Sequence, residues 1–545
     1  MTTDQPVPET PEASQAPEAA VPRKRRLWLP LVVAAVTVAG LIYLNFFTDR
    51  TRDFRWLASV VIGGSGTILL GLWMLFLSRF SRAVRYTTVF APLAVFAIFI
   101  ALYRVNFDGD LVPYAVEPRW WGKQRQQLAA EAQTVSRAVV PEVTPVAARA
   151  DFEQFLGPNR DGIVPGPKLA RSWEQPPKQL WKVPVGAGWS SFAIVGDYAY
   201  TQEMRERREM VTCLELKTGN LVWRQFQDEN EGDEGFISAI SGDGPRATPT
   251  VDQGHVYTAG SKGIINCFDA ADGRRVWSIN VLEKFGAELT EWGYSISPLV
   301  VGDKVIVTGG GKIGPTLIAL NRANGDVIWT AGEGGECSDA YSSPALATVA
   351  GVRQVLIVSD KSIEGYDPET GTRLWRQEWP WNRAKHAKIS QPLVVGDDRL
   401  LITAAYSSGS ALVKIHREAD GTLRPELLWK NRNLKAKFSN PIVLGEYAYG
   451  LDMIVLTCLD LSTGKSTWKG GRFGHGQMLQ VGDLTLIISE NGELVLMELT
   501  PEKYTELGRI QALEGKTWNT MAIAGNLLLV RNSEEAACFE LPTRQ

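Results

Sequence analysis

The chain has 545 residues and a formal net charge of −3, with 57 basic and 60 acidic side chains. That near-balance excludes a global electrostatic pull toward nucleic acid, and the length exceeds one ordinary domain unless a repeat fold absorbs it. The 18 Trp and 51 Gly point to such a fold, because both residue types punctuate repeated β units.

Residues 1–26 are rich in Pro, Glu and Ala, without periodicity, and predict a disordered tail that ends in the cluster Arg23, Lys24, Arg25 and Arg26. Leu27–Phe47 then runs 21 residues without a charge, enough to cross a bilayer. It continues into "LIYLNFF" rather than a small-residue cleavage site, so a retained helix is expected. Leu57–Leu77 and Tyr86–Tyr103 are also uncharged, which makes residues 27–107 a block of three transmembrane helices. Within the second run, Gly63, Thr67 and Gly71 recur every four residues, a spacing that lets another helix approach closely but that also arises by chance in apolar helices.

The basic cluster before the first run, and Arg79, Arg82 and Arg85 before the third, favour a cytoplasmic N-terminus. Arg50, Arg52 and Arg55 in the first loop count mildly against it. Three crossings from that start place everything after about residue 108 on the outer, periplasmic face of a bacterial cytoplasmic membrane. Trp120 and Trp121 suit the outer interface, and residues 108–150 read as a juxtamembrane helix followed by a Pro-containing linker.

From Asp151 to the C-terminus the pattern changes to short alternating strands and Gly turns. Five segments share one internal spacing: "CLELKTGNLVW" (213–223), "CFDAADGRRVW" (267–277), "ALNRANGDVIW" (319–329), "GYDPETGTRLW" (365–375) and "CLDLSTGKSTW" (458–468). A sixth, "KIHREADGTLRPELLW" (414–429), carries five inserted residues. A seventh, "LMELTPEKYTEL" (496–507), is degenerate, with Leu507 near the Trp column. An eighth, "CFEL" (538–541), stops short. The chemistry is that of a hairpin. The acid or amide in the third column accepts turn hydrogen bonds, Gly supplies a positive φ, and Trp anchors the returning strand. Two further strands around a Gly-Asp type turn precede each hairpin, as in "SPLVVGDKVIVT" (297–308), giving four strands per unit.

Such a unit is a propeller blade. The eighth copy lacks its last strand, and "QLWKVPVG" (179–186) stands before any repeat has begun. The N-terminal strand is therefore expected to close the last blade, leaving no sheet edge in the ring. The predicted architecture is an all-β, eight-bladed β-propeller over residues 151–545, preceded by three transmembrane α-helices.

The hairpin repeat, the lead-in "DFEQFLGPNRDG" (151–162) and "GPRATPTVDQGHVYTAGSKG" (244–263) resemble the PQQ-binding-like β-propeller repeat proteins. That superfamily includes quinoprotein dehydrogenases and the non-enzymatic propeller lipoprotein of the outer-membrane barrel assembly machine. The resemblance covers about residues 151–545 and implies fold more than function. Alcohol dehydrogenases of the superfamily hold the quinone between a Trp and a disulfide of adjacent cysteines, a pair this sequence lacks. Sugar-oxidising relatives manage without it. No compact acidic loop offers the converging oxygens that calcium needs. Cys213, Cys267, Cys458 and Cys538 occupy one column and read as small buried apolar residues.

The residues before each innermost strand line the channel mouth. They are Trp189, Arg246, Glu291, Tyr294, Asp339, Tyr341, His386, Lys388, Lys437, Asn440, His475, Trp518 and Asn519. This set is either a ligand site or simply the polar lining that a wet channel requires. His255 and His416 lie near turns and read as structural, and Asp108, Asp110 and Asp161 read as turn builders.

The favoured expectation is a non-catalytic binding or scaffold module, anchored in lipid by its helices and engaging a protein or small ligand at the mouth or rim. The alternative is a membrane-bound dehydrogenase using PQQ with calcium and passing electrons to the quinone pool.

Overall fold

The computed structural model describes residues 28–47, 52–107, 113–120, 152–228, 234–238, 242–310, 313–332, 340–381, 387–405 and 408–544. The chain divides into two compact units, one helical and one built of blades.

The helical unit has three helices long and apolar enough to cross a membrane. They are α1 (Trp28–Phe46), α2 (Arg52–Leu72, running into a π-helical turn Trp73–Leu77) and α3 (Arg82–Leu102). Their side chains are largely exposed. Helices α1 and α2 meet at Thr37 and Gly66, where a Cβ on the glycine would overlap the threonine side chain. Nothing lies within 4 Å of a Cβ built at Gly63 or Gly71, so the close approach falls at a different glycine from the four-residue series. Asn45 Nδ2 donates to Ser59 Oγ at 2.9 Å across the same pair of helices. After α3 come two paired strands, Tyr103–Phe107 and Pro113–Pro118. Trp120 is exposed, and residues 121–150, which the expected juxtamembrane helix and linker would occupy, lie outside the described residues.

The second unit is an eight-bladed β-propeller. Each blade has four antiparallel strands, here numbered from the channel outward. Their first strands are Ala193–Val195 (blade I), Thr250–Asp252 (II), Leu299–Val301 (III), Ala345–Val349 (IV), Leu393–Val395 (V), Ile442–Leu444 (VI), Gln477–Val481 (VII) and Ala522–Ala524 (VIII). The repeat columns become cross-strand pairs. Cys213 faces Trp223, Cys267 faces Trp277, Ala319 faces Trp329, Gly365 faces Trp375, Leu412 faces Trp429 and Cys458 faces Trp468. The N-terminal strand Lys178–Pro184 takes the vacant outer position of blade VIII, with Trp181 facing Cys538 in the same register.

The third-column turns form as the sequence expects: Asp269, Asn321, Asp367 and Asp460 each accept the backbone N–H two residues on. The tryptophans do more than anchor their own strands. Trp223 lies against Gly273 of the next blade, where a Cβ would stand 2.6 Å from the ring, and its Nε1 donates to Ala270 O at 2.9 Å. Trp277 repeats this on blade III and Trp429 on blade VI. Trp181 does the same on Gly219 and Leu216 O of blade I, so closure reproduces the internal joints. Gly273 combines a φ of 72° with that packed ring, which is why this position tolerates no side chain. The joint between blade IV and blade V, which carries the insertion, breaks the pattern: Trp375 Nε1 of blade IV bonds Gln354 Oε1 of the same blade instead.

Blade VII also departs from the column. Leu496 faces Gly508, so the residue in the Trp column is glycine, one position beyond Leu507. The space above it is filled by Trp173, whose Cβ and ring atoms stand 2.6–2.7 Å from a Cβ built on Gly508. Trp173 N donates to Leu507 O at 3.3 Å, and Ala170 N just before it donates to Pro542 O at 2.9 Å. The missing indole is thus supplied by the chain that leads into the ring.

That lead-in chain also crosses the channel. A first strand has only its channel edge free, and Phe152 exchanges two backbone hydrogen bonds with Ile194 on that edge of blade I. Val251 N of blade II donates to Glu153 O, and Ile163–Val164 adds a parallel strand to Gln480–Val481 of blade VII. Between them Arg160 is buried, and its five N–H donors go to Gln154 Oε1, Ser297 O, Pro344 O, Thr250 Oγ1 and Pro298 O. Burial pulls this guanidinium down to about 9. Asp161 builds the adjoining turn by accepting from Ile163 N at 2.9 Å.

Candidate functional site at the loop face

The loops that carry the chain from the fourth strand of one blade to the first strand of the next meet on one face. Two residues before the first strand of seven blades a polar side chain recurs, at Ser191, Thr248, Ser297, Ser343, Gln391, Asn440 and Thr520, and in blade VII Gln477, the first residue of that strand, takes the same place. All are buried or nearly so, and they link neighbouring blades. Ser191 N donates to Thr248 Oγ1, Thr248 N to Ser297 Oγ and Ser297 N to Ser343 Oγ. Gln391 N donates to Asn440 Oδ1, Gln477 Nε2 to Phe438 O, and Ser191 Oγ to Thr520 O. This belt satisfies backbone groups that no strand pairs, and it fixes the height of the residues just before it. Asn519 joins it by donating to Gly188 O and Ser190 O.

Above the belt two clusters form. In the first, His475, Phe438, Trp518 and Trp189 make a series of rings from four consecutive blade junctions. Centroids are 5.2 Å apart for Phe438 and His475, 4.6 Å for Phe438 and Trp518, and 4.8 Å for Trp189 and Trp518. Phe438, Trp518 and Trp189 are half-buried, while His475 is buried. Buried Glu490 orients the series, accepting Trp518 Nε1 at 2.8 Å on one oxygen and His475 N at 3.1 Å on the other. Lys516 stands 4.3 Å above the Trp518 ring, and Lys437 lies 5.2 Å from that of Phe438.

The second cluster gathers Arg246, Glu209, Tyr341 and Lys388. Arg246 donates to Gly242 O and Gly244 O and lies 4.6 Å over Phe236. Burial lowers it to about 10, against the opposing pull of Glu209. Tyr341 N donates to Lys388 O, and buried Lys388 approaches the Trp379 ring at 5.4 Å.

The remaining mouth residues take other places. Tyr294 is buried with its hydroxyl donated to Thr308 O at 2.7 Å, and Glu291 is exposed. Asp339 and His386 lie outside the described residues. His416 pairs with Glu426 at 2.6 Å, and His255 Nδ1 lies 3.1 Å from Gln253 O. The register reading passes over Phe438 and Lys516, although both lie in the same fourth-to-first connections as residues it names. It also misses Glu209, near the start of blade I's third strand, and Glu490, in the second-to-third loop of blade VII. The belt does have a sequence signal, a polar residue followed by Pro at Thr248, Ser297, Ser343, Gln391 and Asn440.

The residues present do not fit a quinone held between a ring and a cysteine pair. Cys213, Cys267, Cys458 and Cys538 are free, buried, and placed on third strands facing outer-strand tryptophans. Burial pushes the Cys267 and Cys538 thiols up to about 12, far from reactivity. Cys337 lies outside the described residues. Among the described residues no three His, Cys, Asp or Glu side chains gather as metal ligands.

Fold and register together define a β-propeller of the PQQ-like repeat type. A family model described as outer membrane protein assembly factor BamB matches residues 178–470, more than half of the chain, and the chain belongs to that family. The helical block falls outside the match. Among curated relatives, BamB of Shewanella oneidensis is 34% identical over 145 residues, which cover 25% of this chain and 35% of the relative. BamB of Yersinia pestis is 25% identical over 179 residues, covering 31% and 39%. BamB of Escherichia coli is 31% identical over 102 residues, covering 18% and 24%. The matches therefore span well under half the length of these relatives. Among solved structures, BamB from Moraxella catarrhalis gives a TM-score of 0.48 at 16% identity, covering 67% of this chain and 100% of that one. Quinohemoprotein alcohol dehydrogenase from Comamonas testosteroni gives 0.49 at 13% identity, covering 78% and 85%.

Proposed function

We propose that the protein is a membrane-anchored, non-catalytic binding module of the assembly-factor type, whose loop face engages another protein outside the cytoplasm. In this reading residues 1–26 form a cytoplasmic tail, 27–107 the anchor in a bacterial cytoplasmic membrane, 108–150 the juxtamembrane spacer, and 151–545 the periplasmic propeller. The observation that carries it is the row of half-buried rings Phe438, Trp518 and Trp189 on the loop face, held from below by Glu490 and the belt. Such aromatic groups, fixed in position and partly open to solvent, are what protein interfaces concentrate at their energetic centres. Relatives of the family are named as outer membrane assembly factors, which supports a protein partner over a small substrate. The test combines two substitutions, Trp518→Ala and Arg246→Ala, with melting curves and a growth assay in cells that need the protein. Lost growth with a retained fold is expected for at least Trp518→Ala. Silent substitutions in both assays would reject the site.

A further inference from the structure

The turn between α2 and α3 joins two apolar spans, and we infer that its arginines bind the phosphate of an anionic phospholipid headgroup. This goes beyond the loop-face reading and rests only on residues 27–107 being a membrane anchor.

The π-helical turn that ends α2 stops at Leu77, and α3 starts at Arg82. Both spans are long and apolar enough to cross a bilayer, so the short connection between them lies at its surface. The boundary between apolar and charged groups is sharp there. Phe76 and Leu77 are exposed on the apolar side, and Arg79 and Arg82 are exposed just beyond.

The charge at this turn is uncompensated. Arg79, Arg82 and Arg85 fall within seven residues, and no Asp or Glu occurs from residue 54 to residue 107. Asp53 stands at the far end of α2 and Asp108 beyond the far end of α3, each separated from the turn by roughly 30 Å of helix. The connection between α1 and α2 gives the contrast. It also brings three arginines, Arg50, Arg52 and Arg55, but sets Asp49 and Asp53 among them. Arg82 and Arg85 stand, moreover, in the first turn of α3, where the helix macrodipole is positive and disfavours cations. An anion brought to this place offsets both the mutual repulsion and the dipole.

The three arginines differ in freedom. Arg85 reaches back, its Nη1 donating to Leu75 O at 3.0 Å, and so satisfies a carbonyl at the end of α2. Ser78 N donates to Trp73 O at 2.9 Å, and Ser81 caps α3 by accepting from Val84 N at 3.4 Å. The backbone of the turn is thus held from both helices, while Arg79 and Arg82 face outward. Two guanidiniums so placed offer the paired N–H donors that match phosphate oxygens. Phe76 and Leu77, exposed beside them, would meet an acyl chain. A charged contact next to an apolar one fits an amphiphile rather than free phosphate.

The test uses the full chain in nanodiscs holding equal amounts of phosphatidylglycerol and phosphatidylcholine. The protein is released into mild detergent, and the lipids it retains are counted by native mass spectrometry. A preference for phosphatidylglycerol of about thirtyfold is expected from two free arginines at a membrane surface. Arg79→Gln together with Arg82→Gln is expected to bring it below about twofold, with the fold checked by circular dichroism. Arg79→Gln alone, which lies outside both helices, is expected to lower it about fivefold. Arg50→Gln with Arg52→Gln, or replacement of Arg23, Lys24, Arg25 and Arg26 by Gln, is expected to leave it in place. Equal retention of the two lipids would overturn the proposal. So would a preference that survives the double substitution at 79 and 82, or one that is lost at the other turn or the tail instead. Discs of phosphatidylcholine alone are also given inorganic phosphate. Phosphate adducts that depend on Arg79 and Arg82, without any lipid preference, would assign the turn to the free ion and overturn the proposal too. If alkaline carbonate extracts the chain from membranes, the anchor reading falls and the lipid site with it. If the chain stays in the membrane and retains both lipids equally, only the lipid site falls.

Discussion

Trp173 is expected to behave as the closing tryptophan of blade VII although it precedes that blade by more than three hundred residues. The residue is half-buried and packs on the core shared by blades VII, VIII and I. A buried indole removes roughly 200 Å² from water, so half of that at ~25 cal/mol/Å² gives about 2–3 kcal/mol for Trp173→Ala. The decisive variant is Gly508→Trp. In the native background its Cβ would stand 2.6 Å from Trp173 Cβ, so the substitution should destabilise. In the Trp173→Ala background the same indole would occupy the space left open and restore the column that blades I–VI share. The cycle therefore predicts a change of sign, with a coupling energy of about 3–6 kcal/mol, the 2–3 kcal/mol restored plus the ~1–3 kcal/mol of overpacking relieved. Thermal melts of the four proteins, followed by circular dichroism, measure it. Effects of Gly508→Trp that are equal in both backgrounds would refute the assignment of Trp173 to the column.

Three further outcomes follow from the same geometry. Trp181→Ala should cost about 3–5 kcal/mol, as for any fully buried indole, and deleting residues 179–186 should expose the edge of blade VIII and promote aggregation, visible by light scattering. Arg160→Met should lower the melting temperature by an amount corresponding to about 3–5 kcal/mol, because the carbonyls of Ser297, Pro298 and Pro344 lose their donors together. Glu203 supplies a pH signature: burial alone would raise its carboxyl, but Arg205 and Arg224 hold it down at about 2, below its ordinary value of 4.5. A depressed carboxylate adds stability above the ordinary value and loses it as pH falls through the folded one. Glu203→Gln should therefore flatten the melting-temperature profile between about pH 4.5 and pH 2, and an unchanged slope there would contradict the pairing.

The blades and their closure were legible in the sequence because both are periodic. A turn acid or amide, a Gly and a Trp at fixed intervals report one local hairpin five times, three altered or shortened copies complete the count, and a spare strand before the first copy has only one place to go. Residues that act once, or across the ring, left no such trace. Trp173 and Arg160 are single residues whose partners lie far away in the chain. Gly508 reads as a lapse in the repeat until the ring that covers it is seen. At the loop face, Trp189, Lys437, His475 and Trp518 could be named from their register, since fourth-to-first connections are countable. Glu490 could not, because second-to-third loops differ in length between blades and obey no column. Tyr294 and Glu291, named from the same register, end up respectively tied to Thr308 and exposed.

The claim that the loop face is the working surface is tested most directly by site-specific photo-crosslinking in living cells. One photoreactive residue replaces Lys516, beside the ring strip, and another replaces Val276, exposed on the outer strand of blade II. The account predicts a discrete protein adduct from position 516 that disappears when Trp518→Ala is added, and none from position 276. Adducts formed equally at both positions, or at position 516 regardless of Trp518, would contradict it.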